Sequence, residues 1–203
     1  SGIIPPDTRV DAVKYRDNVP ETALPYDNNA AKQDFQKGLE ELQIDSLPSD
    51  KILVCPELMD CSYLHEILQN WQHTFEFYIG IEEVTAAEYR ERLQSGNYAI
   101  ALYGVTGSEN NPASVLSAFA SDANPFYQND TFDAMLTQTT QCNNAAQLTD
   151  LCMQMENLLL SDYCFLPVYY KCTYLIYRSE NRDIFYDPYS GVIDFQAVKH
   201  FGS

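Results

Sequence analysis

Between a strand-like segment ending at Tyr103 and a helix start at Pro112 lies Gly104-Val105-Thr106-Gly107-Ser108-Glu109-Asn110-Asn111. It gathers two glycines, two hydroxyls, a carboxylate and two carboxamides into one loop. In open α/β sheets a loop at a strand's carboxyl end is where ligands sit, so Tyr103 to Asn111 is the candidate binding loop. It is no phosphate cradle, because it lacks GxGxxG spacing and any nearby Lys or Arg. Nor is it a nucleophile elbow, since Gly107-Ser108-Glu109 lacks the second glycine of GxSxG. The histidines are His65, His73 and His200, two of them on one expected helix, so a Ser-His-acid triad is not expected.

Other chemistry-bearing residues read as structural. Cys61 and His65, four apart, share a helix face, with Cys55 the nearest third ligand, but a metal site is not expected. Glu40-Glu41 and Glu82-Glu83 are adjacent pairs whose members point apart, so they cannot share a proton. Six cysteines follow no zinc pattern. Cys55 and Cys61 are separated by a turn and could bridge, whereas Cys164 and Cys172 flank a strand-like run that would hold them about 25 Å apart. Buried thiols are the simpler expectation. Tyr163, Tyr169, Tyr170, Tyr174 and Tyr177 are expected mostly to cover a sheet. Asn129-Asp130-Thr131 matches a glycosylation sequon.

The elements that must position the loop follow from periodicity. Residues 3–27 hold Pro5, Pro6, Pro20 and Pro25 with little apolar periodicity and read as an extended surface strap that includes a crossover between lobes. Asn28 caps a helix to about Leu42. Lys51 to Cys55 and Phe77 to Val84 are strands joined by a helix from about Ser62 to Thr74, a βαβ unit with a right-handed crossover. Thr85 and Glu88 have capping-box spacing, and Gly96 sits where a helix from Ala86 to Ser95 needs a left-handed stop. Tyr98 to Tyr103 is the next strand. Beyond Pro112, helices are expected to about Ala120, from Thr131 to Cys142 and from Asn144 to Ser161. Phe165 to Tyr177 reads as a long strand, Pro188-Tyr189-Ser190-Gly191 as a turn and Gln196 to His200 as a helical turn.

The 203 residues suffice for a real core, and a net charge of −17 excludes a nucleic-acid surface. Ser1-Gly2 reads as a cloning scar and the abrupt Ile3-Ile4-Pro5-Pro6 as a cut from a longer protein. The expected organisation is a strap over 1–27, one α/β lobe over 28–195 and a tail over 196–203.

The order of Trp71, Ile81-Glu-Glu-Val84, Tyr89-Arg-Glu-Arg-Leu-Gln-Ser-Gly-Asn-Tyr98, Gly104-Val-Thr-Gly107 and Asn111-Pro112 resembles family 5 extracellular solute-binding proteins. So do Tyr127-Gln-Asn-Asp-Thr-Phe-Asp133, Leu158-Leu-Leu-Ser-Asp162, Leu166-Pro-Val-Tyr-Tyr170 and Tyr186-Asp-Pro-Tyr-Ser-Gly-Val-Ile-Asp-Phe195. These are the oligopeptide-, dipeptide- and nickel-binding components of ABC transporters. The resemblance implies a periplasmic-binding-protein-like lobe of type II, a mixed sheet flanked by helices, representing the C-terminal lobe. It implies a peptide or small-solute ligand, the N-terminal lobe of the same parent and an ABC permease as partners, no cofactor and no catalysis. The location implied is extracellular, as a surface lipoprotein or in a periplasm. The ligand loop maps onto Gly104 to Pro112. Val105 stands where peptide binders usually carry Trp, Ser108 where they carry the aspartate for the peptide ammonium, and Leu93 and Leu102 where oligopeptide binders use arginines. The alternatives are a surface receptor for a signalling peptide and a small hydrolase using Ser108.

Overall fold

The computed structural model describes residues 2–21, 26–124, 126–172, 174–187 and 191–200. By proximity the chain separates into two compact units, Leu24–Val105 inserted within a discontinuous one made of Ser1–Ala23 and Thr106–Ser203. The α/β class is borne out, with a parallel sheet flanked by helices.

The opening segment is more ordered than a strap. Strands β1 (Arg9–Val10) and β2 (Val13–Lys14) pair antiparallel, and a helical turn α1 (Tyr15–Asn18) follows. Asp11 takes the left-handed φ of 54° in the two-residue turn, which its short polar side chain tolerates. Ile4, Val10, Tyr15 and Val19 are buried, so this segment contributes to a core although it lacks helical or strand periodicity.

In the inserted unit, α2 (Asn28–Leu42) is capped by Asp27, whose side chain accepts from the N–H groups of Asn29 and Ala30. Asn28 is the first helical residue rather than the cap. Strand β3 (Asp50–Val54), α3 (Leu64–Phe75) and β4 (Ile79–Glu83) form the expected βαβ unit, and β3 pairs parallel to β4. Helix α4 (Ala86–Ser95) starts and stops as expected: the Thr85 hydroxyl accepts from the Glu88 N–H at 3.4 Å, and Gly96 closes it at φ 69°. Strand β5 (Ile100–Ala101) pairs parallel to β3, giving the order β4-β3-β5. It is shorter than the expected 98–103, although the Leu102 N–H still donates to the Leu53 carbonyl at 3.0 Å. One face of β3 packs Ile52 and Val54 against Leu64, Ile67 and Leu68 of α3; the other packs Leu53 and Cys55 against Tyr89 of α4. Phe35 of α2 meets Phe75 and Phe77 at centroid distances of 5.0 and 5.2 Å.

The rest of the discontinuous unit begins with α5 (Pro112–Leu116), which tightens into a 3-10 turn at Ser117–Phe119 instead of continuing as α-helix to Ala120. Helices α6 (Asp130–Thr139) and α7 (Ala145–Ser161) are capped by Asn129 and Asn144. Among the described residues four two-residue strands follow: β6 (Asn181–Arg182), β7 (Phe185–Tyr186), β8 (Ile193–Asp194) and β9 (Lys199–His200). They pair antiparallel as β6 with β9 and β7 with β8. The last replaces the helical turn expected at 196–200, and residues 188–190 of the expected turn lie outside the described residues.

The long strand expected at 165–177 is absent among the described residues. The described part of its backbone joins no ladder, and Leu166, Tyr174 and Ile176 are 72%, 83% and 92% exposed. An apolar, Tyr-rich run satisfies strand propensity, but a strand exists only where a second backbone pairs with it. Tyr163, Tyr169, Tyr174 and Tyr177 are exposed, and Tyr170 accepts the Gly2 N–H at 3.1 Å and donates to the Gly2 carbonyl.

All six cysteines are unpaired; Cys55 and Cys152 are buried, Cys164 and Cys172 exposed. Burial, then the charges at Cys142 and Glu156, pushes the Cys152 thiol from 9.0 up to about 12. Burial does the same to Tyr89, from 10.0 up to about 12. Both groups are thus held neutral in the fold. Their contribution to stability is complete below their ordinary values and is lost as pH rises through about 12. Urea melts should show stability falling between pH 9.0 and about 12, with Cys152→Ala flattening the early part of the fall. An aromatic disulfide reagent at pH 8 should label Cys164 and Cys172 in the native chain, and Cys55 and Cys152 only after denaturation.

Candidate functional site

The boundary in the chain between the two units falls within the candidate loop. Tyr103, Gly104 and Val105 end the inserted unit as it leaves β5, and Thr106 to Asn111 belong to the discontinuous one. Tyr103 is 53% exposed and Gly104 is exposed. A Cβ on Gly104 would meet nothing within 4 Å, so no close approach demands glycine there.

The second part of the loop is organised by a residue that sequence reasoning did not single out. The Ser114 hydroxyl accepts the backbone N–H of Ser108 at 2.7 Å and that of Glu109 at 3.1 Å, and lies 3.0 Å from the Ser108 hydroxyl. A serine hydroxyl has two acceptor sites and one proton. With both sites taken by N–H donors, Ser114 donates to Ser108, and the Ser108 proton is left to donate elsewhere. Asn111 caps α5, its Oδ1 accepting the Ala113 N–H at 2.8 Å, and Pro112 occupies the first helical position. Asn110 Oδ1 accepts the Arg9 N–H at 3.0 Å. Glu109 is exposed, and its carbonyl accepts the Asn111 N–H at 2.9 Å. The signal for Ser114 was its place three residues into a helix opened by Asn-Pro, where a short hydroxyl faces back toward the incoming loop.

The other chemistry-bearing residues have surroundings of their own. Cys61 precedes α3 rather than lying on it, yet Cys61 and His65 border one hollow of about 320 Å³ in the inserted unit, with Asp60, Ser62 and Glu83. Among the described residues no three His, Cys, Asp or Glu side chains are grouped to hold a metal ion. Burial, then the charges of Glu83 and Asp60, raises the Cys61 thiol, which keeps it protonated and a weak nucleophile. Glu82 pairs with Arg92 at 3.1 Å while Glu83 borders the hollow, so the adjacent carboxylates do point apart. The sequon asparagine is committed: Asn129 Oδ1 accepts from Thr131 and Phe132, and Nδ2 donates to Tyr127 at 3.2 Å and Asp162 at 3.1 Å.

No protein-family model and no curated protein sequence matches the chain. Solved structures do. A peptide-binding protein of a peptide ABC transporter is similar with a TM-score of 0.68 and 20% identity over 80% of this chain and 74% of that one. The pheromone receptor PrgZ, whose mode of peptide binding has been described, is similar with a TM-score of 0.73 and 16% identity, covering 98% of this chain and 39% of PrgZ. The chain has the fold of a peptide-binding-protein lobe. The substrate-binding domain of an oligopeptide ABC transporter from Bacillus anthracis str. Ames shows the same fold, with a TM-score of 0.73, 12% identity, and coverage of 95% and 38%. This chain therefore spans under two-fifths of the length of the latter two proteins.

Gly107 is where the loop's backbone closes on its helix. A Cβ there would sit 3.0 Å from Ser114 Oγ and 3.2 Å from the Val115 nitrogen. Gly107→Ala should therefore cost about 1–3 kcal/mol. Gly104→Ala should stay within about 0.5 kcal/mol of wild type. Urea denaturation of the two variants checks the contrast.

Proposed function

We propose that the chain is the C-terminal lobe of the substrate-binding component of an ABC importer, taking oligopeptides or a related small solute. The observation that carries this is the fold likeness over nearly the whole chain to proteins described as peptide-binding. On this reading Tyr103 to Asn111 contact the ligand, the parent's N-terminal lobe supplies the rest of the cleft, and a membrane permease receives the solute. The location is a periplasm or a cell surface, with a lipid anchor in the surface case. No helix among the described residues is long and apolar enough to cross a membrane. The reading favours a binding lobe over a hydrolase because the similar structures are those of binding proteins; the Ser108 hydroxyl meets that of Ser114. A sensing role is the second reading, favoured by the likeness to a pheromone receptor.

Ser108 then gives a neutral contact, its spare proton donating to a ligand carbonyl for about 1 kcal/mol. Titrating the parent protein calorimetrically with free and N-acetylated pentapeptides should show binding of both. Ser108→Ala should weaken both about fivefold, and Ser108→Asp should shift preference toward the free ammonium. Absence of binding to any peptide, with binding of another solute class, would overturn the peptide reading. Import of labelled peptide by cells carrying the protein separates transport from sensing.

A further inference from the structure

The buried carboxylate of Glu156 and the loop Ser108–Asn111 are joined by one short piece of chain. We propose that Glu156 is a positioning residue for that loop, acting through the hairpin β1–β2. The inference rests on the reading of the loop as ligand-binding.

Glu156 lies on α7 beside Cys152, Met155 and Leu159, all fully buried, where an apolar side chain would pack without carrying charge out of water. What the carboxylate holds explains its presence. Oε1 accepts the N–H of Ile3 at 2.7 Å and of Ile4 at 2.9 Å; Oε2 accepts Arg16 Nη1 at 2.9 Å and lies 3.4 Å from the Tyr15 hydroxyl. Arg16 Nη2 donates to Oε1 and, at 2.9 Å, to the Ile4 carbonyl. Both feet of the segment 4–15 therefore stand on one side chain.

Inside those feet the segment is braced. The Thr8 N–H donates to the Pro5 carbonyl at 3.2 Å, and the Tyr15 N–H donates to the Thr8 carbonyl at 2.8 Å. Tyr15 thus reaches from the carboxylate to the residue before Arg9. Arg9 pairs with Lys14 across the hairpin, and its N–H donates to Asn110 Oδ1 at 3.0 Å. The bonds run unbroken from Glu156 to Asn110, between the two residues Glu109 and Asn111 that shape the loop.

Amide hydrogen exchange on the whole chain tests this. Glu156→Gln should speed exchange of the Arg9, Ser108 and Glu109 amides about tenfold while the chain stays folded by circular dichroism. Asn110→Ala should loosen Ser108 and Glu109 with an unchanged melting temperature, Asn110→Asp should restore them by keeping the acceptor, and Glu156→Gln should add nothing to Asn110→Ala. A lower melting temperature in Glu156→Gln with the loop amides unmoved would make the carboxylate a staple for the fold alone and overturn the proposal. Should Glu156→Gln fail to fold, the Asn110 pair decides: loop amides indifferent to Asn110→Ala overturn it. Calorimetry with the same pentapeptides keeps the two readings apart, because a loosened loop with unchanged peptide affinity overturns the ligand assignment and leaves the positioning intact.

Discussion

A carboxylate with no solvent contact, Glu156, holds the start of the chain to its longest helix. Taking an ion out of water costs several kcal/mol, and the cost is met only when every lone pair finds a donor. Two backbone N–H groups, a guanidinium and a phenol supply them. Burial by itself would lower the Arg16 pKa, but the hydrogen bonds and charge of Glu156 outweigh it and leave the guanidinium above its ordinary value. Removing one partner from such a pair costs about 3–5 kcal/mol, because the other is stranded. Ile4 and Tyr15 are buried beside it, so this polar anchor adds to their own apolar burial in holding them in the core.

Elements with local signals were legible in the sequence. Helix α4 has its residues, its Thr85 cap and its Gly96 stop where the pattern puts them, because each signal acts within a few residues. The βαβ unit was legible for the same reason, with strand ends moving by one or two residues. Strand 165–177 was misread because pairing is a non-local requirement that propensity cannot supply. At α2 two adjacent capping residues competed, and Asp27 won because its carboxylate reaches two N–H groups at once.

Glu156 was hidden by a different effect. The apolar stripe of α7 runs through Leu148, Leu151, Cys152, Met155, Leu158 and Leu159, and Glu156 sits four after Cys152 and three before Leu159. Helical geometry places it on the buried face, and the charge made it look like a surface residue. The unmatched clue was Arg16, one of the chain's few cations, next to Tyr15 in a segment otherwise short of pattern. The loop was legible in place, from strand, glycines and Asn-Pro, but not in its internal bonds. Ser114 belongs to a helix, and nothing in its type marks it as the acceptor for Ser108 and Glu109.

Those bonds give the loop a chemical sense. Asn110 spends its carbonyl oxygen on Arg9, Asn111 spends its own on Ala113, and the Ser108 oxygen receives the Ser114 proton. In each case the structure occupies one acceptor site of the oxygen. The donor ends are left uncommitted by these bonds: two carboxamide NH₂ groups and one hydroxyl proton. A peptide backbone offers a carbonyl acceptor at every residue, and a donor-rich loop held by bonds to Ser114, Arg9 and α5 loses little conformational entropy on meeting one. The acidity of the chain, −17 overall, does not oppose the proposed peptide reading, because the contacts proposed are neutral dipoles and not charges. On the proposed reading, selectivity follows from the spacing of these donors, and that spacing depends on the bonds that fix Asn110 and Ser108.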